Sequence, residues 1–305
     1  MFTKIDFSVI IPQKDSLNTI KRLFDSIPNS DKIEVLLVDN SFKPITKECV
    51  DVDKDYTLLW ASPERYAGGA RNEGIIHAHG KWLVFADADD YFEDNAFDVF
   101  YNYFDSEADI IYFCANSIYA DTGETATRSD GHTNNVLNYI YGQHNEWNLR
   151  LGISVPWAKM IKRDFIINNN IKFDEVIASN DSYFSLLSGY YAKKIEASDR
   201  RVYVVTVTRG SLTNRRDILV LESRLRVTLR KNLFLRRHGL HNYQQSVMLF
   251  LKQSLSYGLL NFIKFIVLVV RYGQNPFIGW KNWRSTIKRH NMQEKKDANY
   301  IIKSS

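Results

Sequence analysis

Up to about residue 113, short β-branched apolar runs alternate with segments whose apolar residues recur at helical spacing. The strand-like runs are Phe7-Ser8-Val9-Ile10-Ile11-Pro12, Glu34-Val35-Leu36-Leu37-Val38-Asp39, Leu58-Leu59-Trp60, Lys81-Trp82-Leu83-Val84-Phe85-Ala86 and Ile110-Ile111-Tyr112-Phe113. Between them, helices are expected over 16–26, over 68–79 with Gly80 as C-cap, and over 94–104. Strands alternating with helices predict an α/β fold, a mostly parallel sheet with helices on both faces. In such sheets ligands bind beyond the carboxyl ends of the strands. Polar and acidic groups recur at those ends: Pro12-Gln13, Asp39-Asn40-Ser41 and Asp87-Ala88-Asp89-Asp90.

The rest of the chain is less regular. Residues 121–151, rich in Thr, Asn, Gly and Tyr, read as a long irregular insertion, and helices are expected over 157–168 and 181–193. Residues 217–305 read as mainly helical. Ser246 to Tyr272 is strongly apolar, but Lys252 and Lys264 interrupt it, so no run approaches the ~20 residues of a spanning helix. Taken as one helix at ~100° per residue, it puts Gln253, Lys264 and Arg271 on one narrow arc. It is expected to lie in a membrane interface with Trp280 and Trp283 as anchors, or else to pack on the rest of the chain or on another subunit. Charge follows the same division: residues 200–305 hold 21 Lys and Arg against 4 Asp and Glu, whereas residues 1–199 hold 19 against 31. The acidic part suits divalent cations, and the basic part suits an anionic surface or ligand. Two cysteines, Cys49 and Cys114, make neither a disulfide framework nor a zinc site, and the start of the chain does not read as a signal peptide.

The chemistry concentrates in Asp87-Ala88-Asp89-Asp90. Three carboxylates within four residues repel one another, and a hard divalent cation, Mg²⁺ or Mn²⁺, would offset that cost while bridging to a diphosphate. The plainer alternative is that Asp89 or Asp90 caps the helix that follows. His77 and His79, two residues apart, do not share a helix face. The sequence has no Gly-x-x-x-x-Gly-Lys-[Ser/Thr] loop, no Gly-x-Ser-x-Gly elbow and no His-Glu-x-x-His.

Taken together, Ser8-Val9-Ile10-Ile11-Pro12, Glu34 to Ser41, Ala70-Arg71-Asn72-Glu73-Gly74 and Phe85 to Asp90 resemble, in order and spacing, the inverting family 2 glycosyltransferases of bacterial surface-polysaccharide type. The resemblance covers roughly residues 6–105. It continues more weakly to 213 through Val155-Pro156-Trp157-Ala158-Lys159, Asn180-Asp181, where the family usually has Glu-Asp, and Arg209-Gly210-Ser211-Leu212-Thr213. It implies a GT-A fold over residues 1–215, with 1–110 binding a nucleotide-sugar and 111–215 forming the acceptor and catalytic part, followed by a basic, apolar helical region over 216–305. It further implies that Asp39 accepts a hydrogen bond from uracil, that Pro12 flanks the base, that Arg71 fixes the nucleotide, and that Asp87 touches the ribose or the metal shell. Asp89 would be the main ligand of Mn²⁺ or Mg²⁺, and Asp181 the general base. The function implied is transfer of a hexose or N-acetylhexosamine from a UDP-sugar to a glycan or lipid-linked acceptor, at the cytoplasmic face of a membrane, with no nucleic-acid partner. The alternatives are a catalytically inactive membrane-surface scaffold that keeps the GT-A fold and a nucleotidyltransferase, for which Pro12-Gln13-Lys14-Asp15-Ser16 lacks the glycines.

Overall fold

The computed structural model describes residues 4–142, 145–208 and 217–277. The chain divides into two units, Met1–Arg215 and Arg216–Ser305. In the first, β1 (Phe7–Gln13), β2 (Ile33–Asp39), β3 (Thr57–Trp60) and β4 (Trp82–Phe85) pair in parallel, in the order β3-β2-β1-β4. The sheet continues through β7 (Lys159–Lys162), β6 (Ile110–Tyr119), β8 (Ile195–Val207) and β5 (Tyr91–Phe92), giving eight strands. β7 runs antiparallel to both β4 and β6, so the sheet is mixed.

Alternation along the strands loads both faces. Val9, Ile11, Val35, Leu37 and Val84 enter one core with Leu23 and Phe24 of α1 (Leu17–Asp25) and Phe97 and Phe100 of α3 (Ala96–Asn102). Ile10, Leu36, Leu83 and Phe85 enter the other with Ile75 of α2 (Tyr66–His77), Val136 of α4 (Asp130–Tyr141), Leu149 of α5 (Glu146–Gly152), Phe165 of α6 (Arg163–Asn168) and Phe184 of α7 (Ser182–Tyr191). A period of two is the pattern expected of strands covered on both sides.

Four expectations need correction. Residues 157–168 are not one helix: Ala158 has φ 52°, Lys159, Met160 and Ile161 pair with β6, and Ile161 and Lys162 pair with β4, so sheet pairing overrides the helical pattern until α6. The 121–151 segment is largely helical. Its helix α4 is docked by polar groups as well as by Val136: the Thr133 hydroxyl bonds to both the N–H and the C=O of Ala115, and His132 Nε2 lies 2.7 Å from the Phe113 carbonyl. Gly80 does not cap α2, which ends at His77 with Ala78 as C-cap; a Cβ on Gly80 would lie 2.6 Å from the backbone N of Ser8, so it is a close-approach glycine. The 246–272 segment is two helices, α9 (Met248–Leu255) and α10 (Leu259–Arg271), broken at Gly258 with φ 100°. The single arc linking Gln253 to Lys264 therefore does not exist.

The second unit starts with α8 (Ile218–Arg237), which packs with α9 and α10 around Leu225, Leu229, Phe265 and Leu268. Among the described residues no helix is long and apolar enough to cross a membrane. Trp280, Trp283 and residues 209–213 lie outside the described residues.

Candidate active site

The parallel strands bring their carboxyl ends to one edge. There Gln13 and Asp39 are register partners, and Gln13 Nε2 donates to Asp39 Oδ1 at 3.3 Å. The Asp39 carboxylate is buried and also accepts from the N–H groups of Ser41 at 3.1 Å and Ile45 at 3.0 Å, which fixes the loop after β2. Pro12 sits inside β1, opposite Val38, one residue before the strand ends. Buried Ala70 of α2 packs with Val38 and Ala61 beside this corner.

After β4 the three carboxylates part company. Asp87 ion-pairs with Arg71 at 2.5 Å, and its N–H donates to the Tyr203 hydroxyl at 2.8 Å. Asp90 is turned inward, accepting from the Thr206 N–H at 2.7 Å. Burial and the charges of Asp89 and Asp87 push its carboxyl well above the usual range. Asp89 lies between these extremes: burial first, and the Asp87 charge second, raise it to about 6. Neither Asp89 nor Asp90 caps α3, whose N-cap is Asn95. Arg22 does not pair with the Asp89 carboxylate; it donates to the Asp89 carbonyl at 2.8 Å and to Thr206 Oγ1 at 2.7 Å. Thr19 Oγ1 holds the Ala88 carbonyl at 2.9 Å. The turn is thus fixed by its backbone, leaving the Asp87 and Asp89 carboxylates as the oxygen donors.

That donor set fits a cation shared with a ligand. Among the described residues no cluster of three or more His, Cys, Asp or Glu is placed to hold an ion alone. Mg²⁺-type sites typically use one or two carboxylates and complete the shell with phosphate oxygens and water.

The Ala70-Arg71-Asn72-Glu73-Gly74 segment, on α2, ties this edge to the second half of the unit. Arg71 is buried; one guanidinium nitrogen holds Asp87 and the other donates to Asn180 Oδ1 at 2.9 Å, with the Phe173 ring 5.3 Å away. Asn72 makes a two-way amide pair with the backbone of Phe173, at 3.0 and 2.8 Å. Glu73 binds Arg65, which also grips Glu175 at 2.8 Å. Gly68 lets the loop approach: a Cβ there would lie 1.9 Å from the Asp174 carbonyl oxygen. Beneath, Phe173 stacks on Phe184 at 3.8 Å and meets Phe85 edge-on at 5.2 Å, so β4 and α7 share one aromatic layer.

Asp181 is the N-cap residue of α7 by position, yet its side chain makes no capping bond to the helix. Lys159 of β7 lies within Coulombic reach of it. Lys159 is only 2% exposed, its Nζ 5.1 Å from the Tyr112 ring, and burial brings its ammonium down to about 7 against the opposing pull of Asp181. Trp157 is also buried, stacked on Tyr203 at 5.7 Å, and is a core residue.

The structure therefore brings Asp87, Arg71 and Asn180 into one hydrogen-bonded chain, with Asp89 and Asp181 each adjacent to one end. Asp39 and Pro12 form a neighbouring corner of the same sheet edge. The sequence alone did not assign Lys159, Asn72 or Tyr203. The Trp157-Ala158-Lys159 segment of the family resemblance was the available signal for the first.

The family model for glycosyl transferase family 2 matches residues 8–169, more than half of the chain. The chain belongs to glycosyl transferase family 2. It is 25% identical over 266 residues to the cholesterol galactosyltransferase of Borreliella burgdorferi, covering 80% of this chain and 71% of that one. Among solved structures it resembles Staphylococcus aureus TarS 1-349 in complex with UDP-GlcNAc, with TM-score 0.63, 18% identity and coverage of 88% and 80%. It spans 45% of the longer chain in another structure of Staphylococcus aureus TarS. The mannosyltransferase PcManGT of Pyrobaculum calidifontis, in complex with GDP-Man and Mn²⁺, aligns with TM-score 0.54, 14% identity and coverage of 95% and 82%. The eight-stranded mixed sheet of this family 2 member is a GT-A-type fold.

Proposed function

We propose that this family 2 glycosyltransferase transfers a sugar from a UDP-sugar to a hydroxyl of a glycan or lipid-linked acceptor, with inversion at the anomeric carbon. The observation that carries the reading is the Arg71 bridge. One guanidinium spans from Asp87, where a donor diphosphate would lie, to Asn180, next to the proposed base Asp181.

Asp39 would accept the uracil N–H on a lone pair left by its three present donors, since a carboxylate has about four such sites. Pro12 would flank the base. Asp87 and Asp89 would hold Mn²⁺ or Mg²⁺, which when bound supplies positive charge to the departing diphosphate. Arg71 would keep the Asp87 carboxylate aimed. Asp181 sits at the positive end of α7, beside Lys159, and would take the acceptor proton as the new bond forms; such a base typically contributes ~10²–10⁴-fold. Direct displacement needs no covalent intermediate. UDP and UDP-GlcNAc in the TarS structures, and Mn²⁺ in the mannosyltransferase structure, support the donor and the metal. The cholesterol acceptor named for the Borreliella relative supports a lipid acceptor. The basic C-terminal unit would hold the enzyme on the cytoplasmic face of a membrane.

The test is a panel of nucleotide sugars assayed for nucleotide release with Mn²⁺. UDP-sugars are expected to turn over, Asp181→Asn to lose ~10²-fold or more while still binding UDP. Full activity in Asp181→Asn would remove Asp181 from the chemistry, and no turnover of any donor would favour the inactive scaffold.

A further inference from the structure

α10 of the second unit presents an unusual surface. Leu259, Leu260, Ile263, Ile266, Val267 and Val270 are exposed, Leu260 by 84% and Val270 by 66%. At ~100° per residue these six fall within an arc of about 120°, an uninterrupted apolar stripe. Phe265, Leu268 and Val269 face the packed side. Lys264 and Arg271 project to one border of the stripe, between it and Leu268. At that border lies a cleft of about 620 Å³, walled by Arg226, Arg236 and Arg237 of α8 and by Arg271, with Leu268 and Tyr272 beneath.

The four guanidinium groups are unequally neutralised. Arg226 bonds to Glu222 at 2.6 Å, and Glu222 is shared with Lys264, also at 2.6 Å. Arg236 donates to the Gly273 carbonyl, which orients it without cancelling its charge. Among the described residues no carboxylate pairs with Arg237 or Arg271. Like charges gathered round a cleft repel one another, and an anion with several acceptor oxygens relieves this; guanidinium forks match phosphate oxygens in pairs.

We propose that this cleft receives the phosphate of an anionic membrane lipid while the adjoining α10 stripe enters the acyl boundary. The inference deepens the membrane-surface reading above and rests on it. Continuity decides the source: Arg271 belongs both to the cleft and to the border of the stripe, so a phosphate held there carries its acyl chains along the exposed leucines and valines. A soluble phosphate would leave the stripe in water. Interfacial helices combine such an apolar face with basic borders, and each basic side chain near an anionic surface contributes on the order of 1 kcal/mol.

The test is flotation of the full chain with vesicles of phosphatidylcholine alone and with about a third replaced by phosphatidylglycerol. Wild type is expected to bind the anionic vesicles far more strongly. Arg237→Gln with Arg271→Gln should bind them about thirty-fold more weakly, from the loss of two such charges. This variant should keep the wild-type melting temperature and nucleotide release. Leu260→Ser with Val267→Ser should also weaken binding. Equal binding to both vesicle types, or unchanged binding by the arginine variant, overturns the cleft while leaving membrane contact standing. Binding to neither vesicle overturns both. Inorganic pyrophosphate bound through Arg237 and Arg271 by a chain that ignores anionic vesicles would place a soluble anion in the cleft and overturn the lipid.

Discussion

Lys159→Met is expected to stabilise the protein while impairing it. A lysine buried to 2% exposure, with its ammonium brought from 10.5 to about 7, binds protons more weakly folded than unfolded. Between about pH 7 and 10.5 the unfolded chain therefore holds more protons, and stability rises with pH across that window. At ~1.36 kcal/mol per pH unit, the burden is on the order of 4 kcal/mol at pH 7 and about 2 kcal/mol at pH 9. Methionine matches the unbranched stem without the charge. Urea unfolding followed by circular dichroism should find the variant more stable by several kcal/mol at pH 7, with the advantage roughly halved at pH 9. Nucleotide release should fall, because the cation beside Asp181 is gone. A variant less stable than wild type by the same amount at both pH values would refute the reasoning, since it would mean that Lys159 is held by favourable partners rather than tolerated for its charge.

Three further outcomes follow from the geometry. Arg71→Lys keeps the charge but cannot reach Asp87 and Asn180 together; loss of one charge-assisted bond, ~2–3 kcal/mol, should lower kcat/KM by about 30- to 150-fold with little change in unfolding. Gly68→Ala places a methyl where the Asp174 carbonyl stands, so a stability loss of ~1–3 kcal/mol by thermal melting is expected, together with a loss of activity larger than that of Gly131→Ala, where nothing lies within 4 Å. His132, held near 3 by burial and by the Lys159 charge, stays neutral when folded, whereas the unfolded chain takes up a proton below about 6.5. Stability should fall as pH drops from 6.5 towards 3, and His132→Gln should flatten that slope in urea titrations.

The first half of the fold was legible because its strands are covered on both faces and their runs are unbroken: β1, β2 and β4 stand where the apolar pattern put them, within a residue or two. Of the later elements, the start of β6 and helix α7 also stand where expected, but β7, β8 and α4 were not legible. β8 carries exposed Asp199, Arg200 and Arg201 in mid-strand, where a register shift interrupts its pairing with β6; the run Val202-Tyr203-Val204-Val205 marks only its second half, and its first half has no apolar run to announce it. α4 is docked through Thr133 and His132 to carbonyls and an N–H of β6, which periodicity does not register. Within the site, spacing singled out the acidic turn but could not separate its members. That Asp90 turns to the Thr206 N–H, while Asp87 meets Arg71, depends on β8 and α2 arriving from distant parts of the chain. The glycine of Gly-Gly-Ala-Arg-Asn reads as helix-weakening in sequence, and only the packing shows it making room for the 174–180 loop.

The central claim is that the Asp87 and Asp89 carboxylates await a cation that arrives with a diphosphate. Calorimetric titration of UDP into the full chain, with and without Mn²⁺, measures this most directly. Binding should be at least tenfold tighter with Mn²⁺ in wild type, and Asp89→Asn should remove that difference. UDP affinity indifferent to Mn²⁺ in wild type, or a metal response that survives Asp89→Asn, would contradict the account.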